Sequence, residues 1–141
     1  MSRNEILGEI AAEFGEPSLM KHKHLVNWFE IPYLNGRRAR AFYEYVFDIQ
    51  LKMIDSKEGV MYQFPMNFLS AGASGTLRKG VPSVDGTTVY FTTKNLPLTV
   101  QKVLTKGGKV IKPISNIGEH GFIAHILDTE GNKIGLHAYS L

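Results

Sequence analysis

The stretch VNWFEIPYLNGRRARAFYEYVF, residues 26–47, combines the patterns of two different secondary structures. Its beginning, together with the preceding leucine (25–31), is rich in aromatic and branched residues and is bounded by Pro32, which predicts a β-strand. An Asn-Gly pair, which favours a turn, comes next. Apolar residues spaced three and four apart over 37–47 then predict an amphipathic helix. The stretch is therefore expected to form one strand followed by one helix.

The same order of elements returns in the second half of the chain, which indicates an internal duplication. When Trp28 is aligned with Tyr90, the first predicted helix falls on the second. Each half reads as a βαβββ module, module one at about 25–78 and module two at about 87–140, so the expected fold class is α+β. We expect mixed or antiparallel sheets that curl around one cleft. The other predicted elements are strands at about 49–55, 59–65, 69–77, 88–93, 109–114, 120–127 and 132–139, and a helix capped by Asn95 that runs to the glycine pair at 107–108.

The N-terminal segment is predicted to lie outside these modules. Residues 3–14 carry their apolar side chains on one helical stripe, and Ser2 and Glu5 have the spacing of a capping box. We expect a short helix that packs on the domain or on a partner subunit, followed by a polar connector. The expected division is 1–22 for this helix and connector and 23–141 for a single domain.

The composition is that of a soluble globular protein with one domain. No cysteine is present among the 141 residues, which excludes disulfides, thiol nucleophiles and iron–sulfur clusters and suits a reducing cytoplasm. Sixteen basic and 13 acidic residues give a net charge of +3, but the basic residues are scattered rather than concentrated on one face. No apolar run is long enough for a membrane span, and the N-terminus lacks the apolar stretch of an export signal. We therefore expect a cytoplasmic protein that binds neither nucleic acid nor membrane.

The paired modules resemble the vicinal oxygen chelate superfamily, which groups glyoxalase, bleomycin-resistance proteins and extradiol dioxygenases. The motifs that carry the resemblance are the stretch at 26–47 and the ending GEHGFIAHILDTEGNKIGLHA at 118–138, and the likeness covers about 25–140. It implies the fold and a homodimer with one small-molecule cleft per chain. It does not select one activity, because this fold supports lyases, isomerases, dioxygenases, transferases and binding proteins.

The metal enzymes of this superfamily hold a divalent ion with His, Gln or Glu from the first and closing strands of each module. The resemblance places three of these positions at Val26, Thr88 and Gly135, and the closing strand of module one, 66–77, contains neither His nor Glu. A divalent site needs several carboxylate or imidazole donors that converge on one point. We therefore predict no divalent metal and no other cofactor, and we expect Gly135 to leave open room in the cleft.

Strand alternation predicts which side chains line the cleft. The apolar residues of each strand go to the core, so the residues between them face the cleft. The register across the turn at 128–132 leaves open whether Ala124 or His125 points inward. This turn, DTEGN, lacks the spacing of a calcium loop and is predicted to be structural. The residues expected to bind the ligand are Trp28, Thr88, Tyr90, Thr92, Phe122, His125 and Gly135.

Glu30 and His137 each have a functional and a structural interpretation. Glu30, inside an apolar strand, is either a general base or ligand anchor, or the partner of an arginine, a lysine or backbone amides. His137 is either an acid or ligand donor, or a histidine bonded to the backbone. Two main hypotheses follow: a binding protein without a metal, or a lyase or isomerase on a small carbonyl compound with Glu30 and His137 as its acid–base pair. A third is an interaction module that uses the N-terminal helix.

Overall fold

The fold follows the predicted duplication. The computed structural model describes residues 24–67 and 69–141, and the helix expected at 3–14 lies outside these residues. Module one comprises β1 (Trp28–Tyr33), α1 (Gly36–Phe47), β2 (Lys52–Ser56), β3 (Gly59–Gln63) and β4 (Ser74–Lys79). Module two comprises β5 (Val89–Thr92), α2 (Leu96–Thr105), β6 (Lys109–Asn116), a 3₁₀ turn (Gly118–His120), β7 (Phe122–Leu127) and β8 (Lys133–Ala138). Two βαβββ modules and an α+β fold class are thereby confirmed.

Each module forms one four-stranded mixed sheet. The strand orders are β1-β4-β3-β2 and β5-β8-β7-β6. The first strand of each module runs parallel to the last, whereas the other neighbours are antiparallel. The helix connects the first strand of the module to the second, which lies at the opposite edge of the sheet. The third and fourth strands fill the space between these two edges. As a result, β1 and β5 are edge strands with one side unpaired within their own sheets.

Both helices begin at an asparagine cap. The Asn35 side chain accepts a hydrogen bond from the Arg38 amide, and the Asn95 side chain accepts one from the Leu98 amide, each at 3.1 Å. Such caps satisfy amides that have no partner inside the helix. Neither helix of the described residues is long and apolar enough to cross a membrane.

One aromatic core joins the two modules. Tyr43 of α1 is fully buried, and its ring lies 5.5 Å from that of Phe64 and 5.9 Å from that of Phe91, measured between centroids. Phe64 follows β3 in module one, whereas Phe91 belongs to β5 in module two. Large rings bury more apolar area than any other side chains, so these contacts hold the modules as one unit.

The turn at 128–132 is also part of the contact between modules. Asp128 N donates to the carbonyl of Asn132 at 2.9 Å, and Gly131 has a positive φ of 100°, as a tight turn requires. The structural interpretation of this turn is therefore confirmed. Asp128, Glu130 and Asn132 are nonetheless at most 6% exposed, which is unusual for a polar turn. Their partners explain this burial.

Three polar side chains of this turn bind the start of module one, and we call this set of contacts the module junction. Glu130 accepts hydrogen bonds from the amides of Leu34 and Asn35 at 2.9 and 2.7 Å. It also accepts two from the Arg38 guanidinium, at 2.7 and 3.0 Å. Asp128 accepts one from the Tyr43 hydroxyl at 2.7 Å, and Asn132 donates to the carbonyl of Pro32 at 2.7 Å.

Candidate functional site

A groove of about 1180 Å³ is lined by residues from the edge strands of both modules. Aromatic rings make up much of its wall, and hydroxyl groups, one carboxylate and one lysine provide polar points. A mostly apolar concavity with a few polar groups is the usual form of a small-molecule site. The lining includes Trp28, Phe29, Glu30, Phe64, Ser74, Thr88, Tyr90, Phe91, Thr92 and Lys133.

The predicted alternation of strand faces agrees with the observed burial. Trp28 and Tyr90 are 40% and 48% exposed, whereas Ile31 is buried and Phe29 and Phe91 pack against the core. We call the side of each sheet that carries Trp28 or Tyr90 its open face. Trp28, Thr88, Tyr90 and Thr92, all predicted ligand-binding residues, lie in the groove lining.

The register of β7 resolves the alternative between Ala124 and His125. Ala124 is fully buried, so His125, its neighbour along the strand, points to the open face. Phe122 shares the face of Ala124 and packs against the core. Phe122 therefore does not lie with the other predicted ligand-binding residues, because the strand places it on the opposite side of the sheet.

Tyr90, Gly135 and His125 form one row across three adjacent strands. Gly135 of β8 is in register with Tyr90 of β5 on one side and with His125 of β7 on the other. The Tyr90 ring lies over Gly135, and a hydrogen bond of 2.7 Å joins Tyr90 Oη to His125 Nε2. A Cβ atom at position 135 would overlap the Tyr90 ring. The expectation that Gly135 leaves open room is thus corrected, because the tyrosine ring fills the space above the glycine.

His125 lies in a positively charged part of this face. Burial lowers its pKa from the ordinary 6.5, and the positive charges of Lys133 and Lys112 lower that pKa further. The imidazole is therefore neutral near pH 7 and can either donate to or accept from the Tyr90 hydroxyl. Lys112 of β6 is in register with His125.

Glu30 and His137 are not brought together. Glu30 Oε1 lies 3.1 Å from Arg78 Nε of the neighbouring strand, and both side chains are about half exposed. His137 donates from Nε2 to the carbonyl of His120 at 2.6 Å and packs against the Tyr139 ring. Both contacts match the structural interpretation of each residue. The groove lining includes Glu30 but not His137, so these contacts do not favour the acid–base pair of the second hypothesis.

Replacing Glu30 by glutamine is expected to change the free energy of unfolding by about 0.5 kcal/mol or less, because exposed ion pairs contribute little. Urea unfolding followed by circular dichroism measures this change. Arg78→Gln is the matched control, since it removes the other half of the same pair. A loss several times larger in the Glu30 variant alone would contradict the assignment of Glu30 as half of an exposed pair.

The three positions that the resemblance assigns to metal ligands carry side chains that do not fit a divalent ion. Val26 offers no donor, Thr88 offers a neutral hydroxyl, and Gly135 is covered by Tyr90. In module one, the residue in register with Trp28 on the closing strand is Ser74, another neutral hydroxyl. Across residues 24–67 and 69–141, no three His, Asp or Glu side chains are grouped closely enough to hold a metal ion.

Two residues near this site were not singled out from the sequence. Strand alternation places Lys133 on the same face as Gly135 but gives it no role, and it does not place Lys112. The pairing of β6 with β7 shifts register on both sides of Lys112, so simple alternation does not predict where Lys112 points. The only available signal was the absence of Asp and Glu from the predicted strands of module two.

Comparisons with known proteins identify the fold. No protein-family model matches the chain, and no curated protein matches it. Among solved structures, TnmS3, an antibiotic binding protein from Streptomyces sp. CB03234, is 24% identical with a TM-score of 0.63, over 86% of this chain and 99% of that one. A glyoxalase/bleomycin resistance protein from Albidiferax ferrireducens T118 is 14% identical with a TM-score of 0.62, over 82% and 98% of the two chains.

A third similar structure is the E144Q mutant of glyoxalase I from Zea mays. It is 16% identical with a TM-score of 0.63, and the match covers 80% of this chain and 46% of that longer one. At such identities the likeness establishes the fold and nothing further. The chain therefore has the fold that glyoxalases and bleomycin-resistance proteins of the vicinal oxygen chelate superfamily share.

Proposed function

We propose that this chain, which has the glyoxalase/bleomycin-resistance fold, binds a small molecule in the groove between β1 and β5 without a divalent metal. The observation that carries the proposal is the groove itself, with Trp28 on one side and Tyr90 on the other, both partly exposed. Large, partly exposed aromatic side chains on both sides of a concave surface favour a ligand with flat apolar parts. The similarity to a protein described as antibiotic binding agrees with a binding role.

The polar groups of the lining would orient such a ligand. Ser74, Thr88 and Thr92 offer hydroxyl groups that both donate and accept hydrogen bonds. The ion pair of Glu30 and Arg78 belongs to the same side of β1 as Trp28. In this proposal the rings supply the binding energy and the hydroxyl groups supply selectivity.

Binding without metal is the second part of the proposal. Its support is the chemistry of the three positions that the resemblance assigns to metal ligands, which here carry valine, threonine and glycine. Elemental analysis of the purified protein tests it, together with ligand binding before and after a strong chelator. Stoichiometric Ni, Zn, Mn or Fe, or binding that a chelator abolishes, would contradict this part.

The chain offers its own reporter for binding, since Trp28 is the single tryptophan. We expect the neutral fluorophore N-phenyl-1-naphthylamine to enter the groove, gain fluorescence and quench Trp28. Trp28→Leu and Tyr90→Ala should each weaken its binding about fivefold, because an aromatic contact is worth roughly 1 kcal/mol.

The control for this titration is Leu98→Ala, which removes an exposed apolar side chain of α2 that does not line the groove. Its affinity for the fluorophore should equal that of the unmodified protein. No binding at all, or equal losses in all three variants, would contradict the groove as the site.

We also propose a homodimer, as the resemblance implies. Exposed apolar side chains such as Leu104 and Ile111 lie outside the groove and are available for such a contact. Sedimentation equilibrium of the full chain measures the assembly directly, and a monomer at micromolar concentration would contradict it. The cytoplasm as the compartment, and the absence of nucleic-acid and membrane partners, stay predictions.

A further inference from the structure

The second sheet has an unbalanced charge. Its four strands contain Lys109, Lys112 and Lys133, and they contain no aspartate or glutamate. The first sheet differs, because Glu30 on β1 is paired with Arg78 on β4. A surface with one sign of charge raises the local concentration of oppositely charged small molecules. The second sheet is therefore suited to anions.

Two of these lysines lie around the row of Tyr90, Gly135 and His125. Lys112 is in register with His125, and Lys133 lies two residues before Gly135, on the same face of β8. Both are close enough for their charges to act on the His125 imidazole. The hydroxyl of Tyr90 and the imidazole of His125, 2.7 Å apart, complete a group of hydrogen-bond donors on this face.

These lysines have no acidic partner in the part of the chain that the structure describes. The salt bridges found there involve Arg38, Arg40, Arg78 and His120, and neither Lys112 nor Lys133 takes part in one. Lys133 is also half-buried and belongs to the groove lining. A partly buried ammonium group gains from an opposite charge, and an anionic ligand would supply it.

The groove thus differs between its two sides. Trp28 of β1 presents aromatic surface, whereas Lys133 on β8 presents a cation on the same face of the sheet as the Tyr90–His125 pair. We propose that the ligand is an aromatic organic acid, whose ring contacts β1 and whose carboxylate binds at Lys133; Lys112, which lies outside the groove lining, adds its charge from β6 on the same face of the sheet. This inference rests on the proposed function, since it specifies the ligand class of the same groove.

Competition with N-phenyl-1-naphthylamine tests the charge separately from the groove. The competitors are 2-naphthoate and 2-naphthamide, which have the same ring system and differ in charge. In the unmodified protein we expect the carboxylate to displace the fluorophore at about fivefold lower concentration than the amide, as for a solvent-accessible charge pair. In the double variant Lys112→Gln/Lys133→Gln, the preference for the carboxylate over the amide should disappear. Displacement of the fluorophore by the uncharged 2-naphthamide shows, for each variant, whether the groove still binds the ring system.

Lys52→Gln is the matched control. It removes the same charge from an exposed position on β2, which does not line the groove, and it should keep the full preference for the carboxylate. Equal displacement by carboxylate and amide in the unmodified protein would overturn the inference while leaving the proposed binding function intact. A preference for the carboxylate that persists in the double variant would also overturn the inference. Failure of the fluorophore to bind would instead overturn the proposed function, and this inference with it.

Discussion

Glu130→Ala is expected to lower the free energy of unfolding by about 3 kcal/mol, because it leaves two partly buried backbone amides without their charged acceptor. The Glu130 side chain is fully buried and accepts from the amides of Leu34 and Asn35. Arg38, its third partner, is about half exposed and regains water when the carboxylate is removed. The loss therefore arises mainly at the two amides that begin α1. Urea unfolding at neutral pH measures it.

Glu130→Gln is the control. Comparing it with the unmodified protein shows how the Glu130 carboxylate makes stability depend on pH. Burial opposes ionisation of Glu130, but hydrogen bonds from Arg38, Asn35, Thr129 and Leu34 outweigh it and hold the pKa below 4.5. Because the folded-state pKa is depressed, the carboxylate's contribution is complete above pH 4.5 and is lost as pH falls through the folded value. The glutamine variant has no carboxylate at this position, so its free energy of unfolding should fall less with decreasing pH than that of the unmodified protein. Acid unfolding curves of equal shape, or a loss below 1 kcal/mol in the alanine variant, would contradict this account of the junction.

Gly135→Ala is expected to cost about 2 kcal/mol, because the new methyl group occupies space that the Tyr90 ring fills. The ring must move away, and its hydrogen bond with His125 is then lost. His125 becomes more exposed, so its lowered pKa should rise toward 6.5 while the nearby lysines keep it from reaching that value. Urea unfolding gives the energy, and an NMR titration of the imidazole gives the pKa.

A double-mutant cycle with Tyr90→Ala isolates the cause of this loss. Without the ring, the alanine at position 135 has nothing to displace on the open face, so the double variant should be hardly less stable than Tyr90→Ala alone. The same cost of Gly135→Ala in both backgrounds would show that the strand backbone, rather than the tyrosine, requires glycine.

The order of elements in this fold was predictable because it depends on local patterns. The first strand and α1 follow from the change of apolar spacing after Pro32, and Asn95 caps α2 as its position predicts, whereas Asn35, expected in a turn, is the cap of α1. The boundary at 69–77 was less accurate, since β4 begins only at Ser74. A strand cannot be located from composition alone where small residues such as those at 71–75 fill both the loop and the strand.

The sequence predicts which side chains of the site face the groove, but it does not predict which groups they bond to. Alternation placed Trp28, Tyr90 and Glu30 correctly, but the partner of each polar group depends on register between distant segments. Glu130 and Leu34 are 96 residues apart, and Tyr90 and His125 are 35 apart. Sequence spacing contains no information on such pairs. For the same reason, a missing side chain at Gly135 suggested open space although a neighbouring strand supplies the ring that fills it.

The module junction has a consequence for how the halves of this duplicated chain depend on each other. Module two provides the buried carboxylate, and module one provides the amides that require it. Module one has no equivalent of the turn at 128–132, since the segment between β3 and β4 contains neither Asp nor Glu, so the modules repeat in pattern but are not interchangeable. Module one produced alone would lack the acceptor for the two amides that precede α1, and the two halves should therefore unfold together in a single cooperative transition. Amide hydrogen exchange in α1 would report the stability of the far end of the chain.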